Sequence, residues 1–498
     1  MILARVLGAL VLMLGLTVFA QAAPTQLTPD QARHLLARTG FAPTQSEVNA
    51  VRGMDARLVV ERIVEQARLA SPRNPAPEFV NQPAPVPFRM LESETQRQEQ
   101  RRVQMLEGMD IKRWWMTEML DSPTPLQERM VLFWHNHFAT SQQKVVRSQA
   151  MWRQHQLLRK NALGNFRQLL HGIAKDPAML VYLDGVNSRR GAPNENFARE
   201  VMELFTLGEA RQGSAYSEQD IREAARAFTG WSVDRDDFSF VFRRAAHDIG
   251  RKTLFGHSGF FDGDDALDLM LEQPAAARFI VSKLWREFVS PQPQAAQVEV
   301  LAQRFARSGF DIALLVREML LSEAFWDPAH RGSLVKAPVE LVVGTVRQFG
   351  ILRPDPTALV AQAAALGQNL LVPPNVRGWP GYTDWIDASS LLGRKRFTSL
   401  MFQPAPDAGQ QAMSRIDLTM VRGAPMREAM RQDSNLRFDA QAWLAHYGAD
   451  VDREPSAASR AAMEAALLAV PATQPFAAGT VALSHLRSLT QDAAYQLK

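Results

Sequence analysis

The chain of 498 residues contains no cysteine. That absence excludes disulfides, thiolate metal sites, iron–sulfur clusters, cysteine nucleophiles and covalently attached c-type haem, so packing alone must hold the fold. Long runs of one charge are missing as well. Lys and Arg number 56 against 52 Asp and Glu, a formal charge of +4. Nucleic acid is therefore not an expected partner, despite a sequence pI of about 9.4. H-E-x-x-H, G-x-S-x-G and the glycine-rich phosphate loops do not occur, which leaves no signature of a zincin, a serine hydrolase or a nucleotide site. No period of 20 to 50 residues marks a repeat array.

What is present first is an N-terminal export pattern. Arg5 supplies the positive start, Val6 to Phe19 the apolar stretch, and Ala20-Gln21-Ala22 an A-x-A cleavage site. Residues 1–22 are expected to be a signal peptide, and the mature chain to be periplasmic or extracellular. The apolar stretch is shorter than the roughly 20 residues a spanning helix needs, no twin Arg precedes it, and no later segment is apolar enough to span. The expectation is thus no stable membrane span after cleavage.

The remainder reads as helix after helix. Thr28 with Gln31, and Thr44 before Val48 and Val51, have the form of capped helix starts. Leu126, Met130, Trp134 and Phe138 recur every four residues, one stripe of a central helix that Thr124 is expected to cap with Pro125 at its first position. A long helical stretch is expected over 148–173, a brief strand or helix end at 180–185, and a helix from Asn194 to a stop at Gly208. Ser217 and Asp220 open another, and Asp264 is read as a cap rather than part of a calcium loop. Residues 232–256 alternate and predict one small β-hairpin near 235–256. The fold class is mainly α: a large multi-helix, bundle-like body over 23–403 with a small β-hairpin insertion, and a C-terminal helical extension, 404–498, packed on it.

Chemistry-bearing residues fall in four places. On the central helix, His135, Asn136 and His137 sit beside Trp134. Two positions apart on a helix is about 200°, so both imidazoles do not readily hold one ion. On the 195–207 helix, Asn196, Glu200 and Glu203 flank the buried stripe with Arg199 among them. They would hold a cation or orient a histidine, or form a solvated edge with Glu195–Arg199 and Arg199–Glu203 pairs. His247-Asp248 lies in a glycine-containing bend, as a ligand pair, a base, or local turn chemistry. Asn375, Arg377, Trp379 and Trp385 belong to a loop rich in Pro, Gly and Trp, the kind of loop that lines sites. Catalytic candidates are His137, Glu200, His247 and Asp248. Metal candidates are His137, Glu200, Glu203 and His247. Binding candidates are His135, Asn136, Asn194, Asn196, Arg199, Glu203, Asn375, Arg377, Trp379 and Trp385. His137, inside an apolar arc, needs a buried partner, expected from the Asn196–Glu200–Glu203 flank or the His247-Asp248 loop.

The blocks RMVLFWHNHFATS, NENFAREVMELFTLGE, SEQDIREAARAFTGW, HDIGRKTLFG, LVKAPVELVVG and PPNVRGWPGYTDWI together resemble the bacterial family called domain of unknown function 1800, from about Thr28 onward. The resemblance implies an exported protein of unassigned activity, often encoded beside a sulfatase-like exported family, domain of unknown function 1501 (DUF1501), a partner by implication. Many members carry a His where this chain has Phe205, a departure that weakens any metal scheme needing that imidazole. Two functions stand. One is a non-catalytic binding or assembly protein of the cell envelope, its Trp-rich loop meeting a glycan or a partner. The other is a hydrolase using a divalent metal ion on an extracellular or periplasmic substrate.

Overall fold

The computed structural model describes residues 23–83, 85–209, 216–351, 355–402, 436 and 438–498. The expected signal peptide and the boundary drawn between 403 and 404 lie outside these residues. Among the described residues the chain is mainly α-helical, with two small two-stranded antiparallel sheets. Capping chemistry places the helices where the sequence predicts them. Thr28 and Gln31 close a reciprocal box on Pro29–Thr39, and Thr44 with Glu47 does so on Gln45–Val51. Ser217 and Asp220 do the same for Glu218–Ala227. One continuous core of buried apolar side chains runs from the N-terminal helices to Tyr495.

Several expectations are corrected. The central helix is Pro125–His137, but Thr124 makes no side-chain cap; its backbone N–H donates to Ser122 Oγ at 3.1 Å instead. The stretch 148–173 is two helices, Ser148–Lys160 and Phe166–Ala174, because Asn165 caps a second start. Pro177–Tyr182 is a helix capped by Asp176, which settles the 180–185 run. At 262–265 the cap is Asp262, whose Oδ1 accepts from the Asp264 and Asp265 N–H groups. Asp264 instead bonds His171 and Lys175.

The β-structure is two hairpins rather than one. β1 (Trp231–Val233) pairs with β2 (Phe240–Phe242), and β3 (Lys252–Leu254) with β4 (His257–Gly259). The second turns on Phe255 and Gly256, both at positive φ (50° and 81°), the backbone of a two-residue hairpin loop. The predicted 195–207 helix is α over Glu195–Glu200 and then widens to π turns over Val201–Thr206. Its Leu207 N–H reaches Met202 O, five residues back, at 2.7 Å.

The C-terminal helices Ala440–His446, Ala457–Leu467 and Ala482–Gln491 pack against the earlier ones. Lys336 Nζ donates to Tyr495 O at 2.7 Å, and Trp443 Nε1 to Gln348 O at 3.1 Å.

Candidate functional site

The Pro125–His137 helix is buried on nearly every side. Its apolar stripe packs as the spacing requires, with Trp134 stacked on Phe138 and Phe166. A helix buried all round must then satisfy its polar groups inside the protein. Glu128 is gripped by Arg159 through two bonds of 2.5 and 2.6 Å. Arg129 donates to Glu287 at 2.6 Å and to Glu340. Asn136 Oδ1 accepts from the Trp379 N–H at 2.6 Å, tying the helix to the Trp-rich loop.

His137 finds neither of its expected partners. Its Nε2 lies 3.1 Å from Phe205 O and its Nδ1 3.0 Å from Lys283 Nζ. A carbonyl only accepts, so Nε2 carries the proton and Nδ1 offers its lone pair to the ammonium. Burial first, and then the Lys283 charge, hold this imidazole well below its ordinary pKa. Phe205 lies in the last turn of the π-widened segment Val201–Thr206, where carbonyls lack intrahelical partners, and so its oxygen is available where an Asn196 or Glu200 side chain was expected. His135 packs between Trp115 and Trp379, each ring 5.5 Å away, and its buried Nε2 has no partner among the described residues. Burial, and then Lys112, hold it down to about 4.

A cavity of about 290 Å³ opens beside this helix, against the Pro274–Phe288 helix and the loop 368–385. Asn136, Lys283, Arg286, Arg377, Trp379 and Tyr382 are among its walls. Gly378 sits at φ 89°, and a Cβ there would collide with Asn136, so the close seating of the loop on the helix needs glycine. The two carboxylates in the wall, Glu287 and Glu340, are both held by Arg129, and Glu340 by Lys498 as well. Burial alone would push the Glu340 carboxyl up; Arg129 and Lys498 outweigh it and hold it at about 2. Lys283 and Arg286 pair with no carboxylate among the described residues. Burial, and then Arg286, lower the Lys283 ammonium to about 8. The cavity therefore has an excess of positive charge, with aromatic walls and a pre-set lysine.

The other sequence candidates lie outside this wall or play local roles. Asn194 caps its helix by accepting from Phe197 N, and Asn196 is exposed. Arg199 spans Glu203 and Glu218. Glu200 is raised by burial and then by Glu203, with Arg377 opposing, so this flank does approach the Trp-rich loop. Arg377, also a wall residue, forms an ion pair with Glu209. Asn375 closes the turn onto the Arg377 N–H at 2.8 Å, and Trp385 is buried in the wall. His247 Nδ1 rests 2.9 Å from Thr229 O, and Asp248, held at about 2 by its bond to Arg226, is a turn anchor. Among the described residues no three His, Cys, Asp or Glu side chains converge to hold a metal ion.

Sequence reasoning missed Lys283, Arg286 and Tyr382. Lys283 and Glu287 stand four apart on one helix, which reads as a surface ion pair; the structure gives Glu287 to Arg129 instead. A model of the family described as a protein of unknown function (DUF1800) matches residues 34–491. No curated protein and no solved structure matches the chain.

Proposed function

We propose, for a chain that belongs to the DUF1800 family of proteins of unknown function, a non-catalytic binding or assembly role in the cell envelope, in which the cavity beside Asn136 receives an anionic group. The ligand is carried by a glycan or by a partner protein; the family resemblance suggests an exported sulfatase-like protein of the DUF1501 family as that partner. The N-terminal pattern supports export to the periplasm or beyond. The observation that carries the reading is the pair Lys283 and Arg286, two cations in a cavity wall with no carboxylate of their own among the described residues. Such a pair attracts a carboxylate, sulfate or phosphate, and the arginine fork adds direction.

Inorganic sulfate titrated into the full mature chain tests this, because Trp379 and Trp385 line the cavity and report on its contents. A saturable fluorescence change is expected, and its loss when Lys283→Met and Arg286→Met are combined. An absent change, or one that survives both substitutions, overturns the reading.

The second reading, metal-assisted hydrolysis, rests on Glu200, whose pKa is raised by burial and then by Glu203. A divalent cation would relieve that repulsion. Both nitrogens of His137 are already engaged, one of them by an ammonium, which opposes its use as a ligand. Metal analysis of the purified protein, with Glu200→Gln as the control, decides it: a stoichiometric ion lost in the variant favours hydrolysis.

A further inference from the structure

A second and larger cavity, about 850 Å³, lies where Phe88, the turn after Val145 and the β1–β2 hairpin meet. It shares no wall residue with the cavity beside Asn136. Among the described residues, seven arginines line it against a single carboxylate, Asp234. Asp234 Oδ1 is itself taken by the backbone N–H groups of Asp236 and Asp237 at 2.8 and 3.4 Å. Three of the arginines are matched: Arg89 by Asp236, and Arg97 and Arg101 by Glu94. The other four, Arg147, Arg189, Arg235 and Arg243, pair with no carboxylate among the described residues.

This charge is built rather than scattered. The whole chain carries only +4, so seven arginines around one hollow are a local concentration. Arg147 is half-buried, donates to Pro85 O at 2.9 Å and lies between the rings of Phe88 and Phe238, 5.7 and 5.8 Å from their centres. Burial lowers its pKa, as expected for a guanidinium removed from water without a carboxylate. Phe238 is held at φ 57°, a conformation costly for a bulky side chain, and this sets its ring over Arg147.

We infer that this groove is a binding site for an acidic oligosaccharide, with Arg147, Arg189, Arg235 and Arg243 receiving its carboxylate or sulfate groups and the Phe88 and Phe238 rings receiving the apolar faces of its sugars. Planar guanidinium forks match both oxyanions, and aromatic faces supply flat apolar contact. The volume suits a short oligomer, since ligand cavities typically run about 300–1,000 Å³. A nucleic-acid strand fits less well. It needs a continuous basic track for its phosphates, whereas Asp236 and Glu94, both well exposed, stand directly against the wall arginines.

The test is isothermal titration of the full mature chain with trigalacturonate, a sulfated carrageenan oligosaccharide, a neutral maltotriose and an eight-nucleotide single-stranded DNA. Arg189 and Arg235 are exposed and bear no carboxylate partner among the described residues, so Arg189→Gln with Arg235→Gln leaves the fold intact, as an unchanged melting temperature would verify. Binding of one acidic saccharide is expected, which of the two distinguishing carboxylate from sulfate recognition, with a loss of at least about tenfold in the double variant. The Lys283→Met, Arg286→Met protein should bind it normally, which separates this site from the cavity beside Asn136. Failure of both acidic saccharides, equal binding by maltotriose, equal or tighter binding by the DNA, or unchanged affinity in the arginine variant overturns the inference.

Discussion

The Lys283 ammonium stands 3.0 Å from Nδ1 of His137, and the same imidazole holds the Phe205 carbonyl through its other nitrogen. One ring thus joins a cavity wall, the central helix and the widened turn at Val201–Thr206. It is a connector among three elements, and its two bonds leave no lone pair for a metal ion.

Replacing that ring should therefore be felt as stability. His137→Ala leaves the buried Phe205 carbonyl and Lys283 without their partner, an expected loss of about 1–3 kcal/mol. Urea denaturation followed by circular dichroism measures it. A loss near zero would mean that the two bonds contribute nothing net.

His135 should make the protein acid-sensitive. Its folded pKa of about 4 lies below the ordinary value of 6.5, so between those values the unfolded chain binds a proton that the folded chain refuses. Stability is expected to fall as pH drops from about 6.5 towards about 4, by on the order of 3 kcal/mol from this group. His135→Phe keeps a flat ring between Trp115 and Trp379 and removes an unsatisfied nitrogen. It should be near-neutral at pH 7 and should flatten the pH 4–6.5 limb of the melting curve.

Glu340 works in the opposite chemical sense, though on the same acid side. Its carboxyl sits at about 2 instead of 4.5, so its contribution is complete above the ordinary value and is lost as pH falls from about 4.5 towards 2. Glu340→Gln leaves Arg129 and Lys498 buried without their shared anion, at an expected cost of about 3–5 kcal/mol at pH 7. Thermal melts between pH 2 and 7 should show this lower limb in the parent protein and not in the variant.

Gly378→Ala should damage both stability and the cavity. The residue sits at φ 89° and faces Asn136 with no room for a Cβ. A loss of about 1–3 kcal/mol is expected from strain and overpacking together. Sulfate binding read by tryptophan fluorescence should weaken in parallel, since the Asn136–Trp379 bond can no longer form.

Helix starts were legible because caps are local: Thr28, Thr44, Asn194 and Ser217 act within three residues of themselves. The mainly α class followed from the same periodicity. The second hairpin was not legible, since Phe255-Gly256 lacks the Asn or Asp that usually announces such a turn. The cavity beside Asn136 was half legible. Asn136, Arg377, Trp379 and Trp385 were visible as unusual residues in unusual company, and they do meet there. Lys283 and Arg286 were not, because a lysine or arginine on a helix flank looks the same whether it faces water or a hollow. His137's partners were missed for a related reason: one is a backbone carbonyl, which carries no residue-specific signal.

The widened turn at Val201–Thr206 is also a matter of phase. An α-helix advances about 100° per residue, and a π turn absorbs one extra residue without lengthening the helix by a full step. Residues after it are thus rotated relative to residues before it. Glu200 and Phe205 belong to two different angular registers of what reads as a single helix. Deleting one residue within 201–206 would remove that extra residue and let the helix run on as an even α-helix, with the residues after it, and the carbonyl that faces His137, kept near their present direction. The same deletion in a regular helix turns everything after it by about 100°; in this helix the widened turn takes it up, and the hold between the central helix and its neighbour survives.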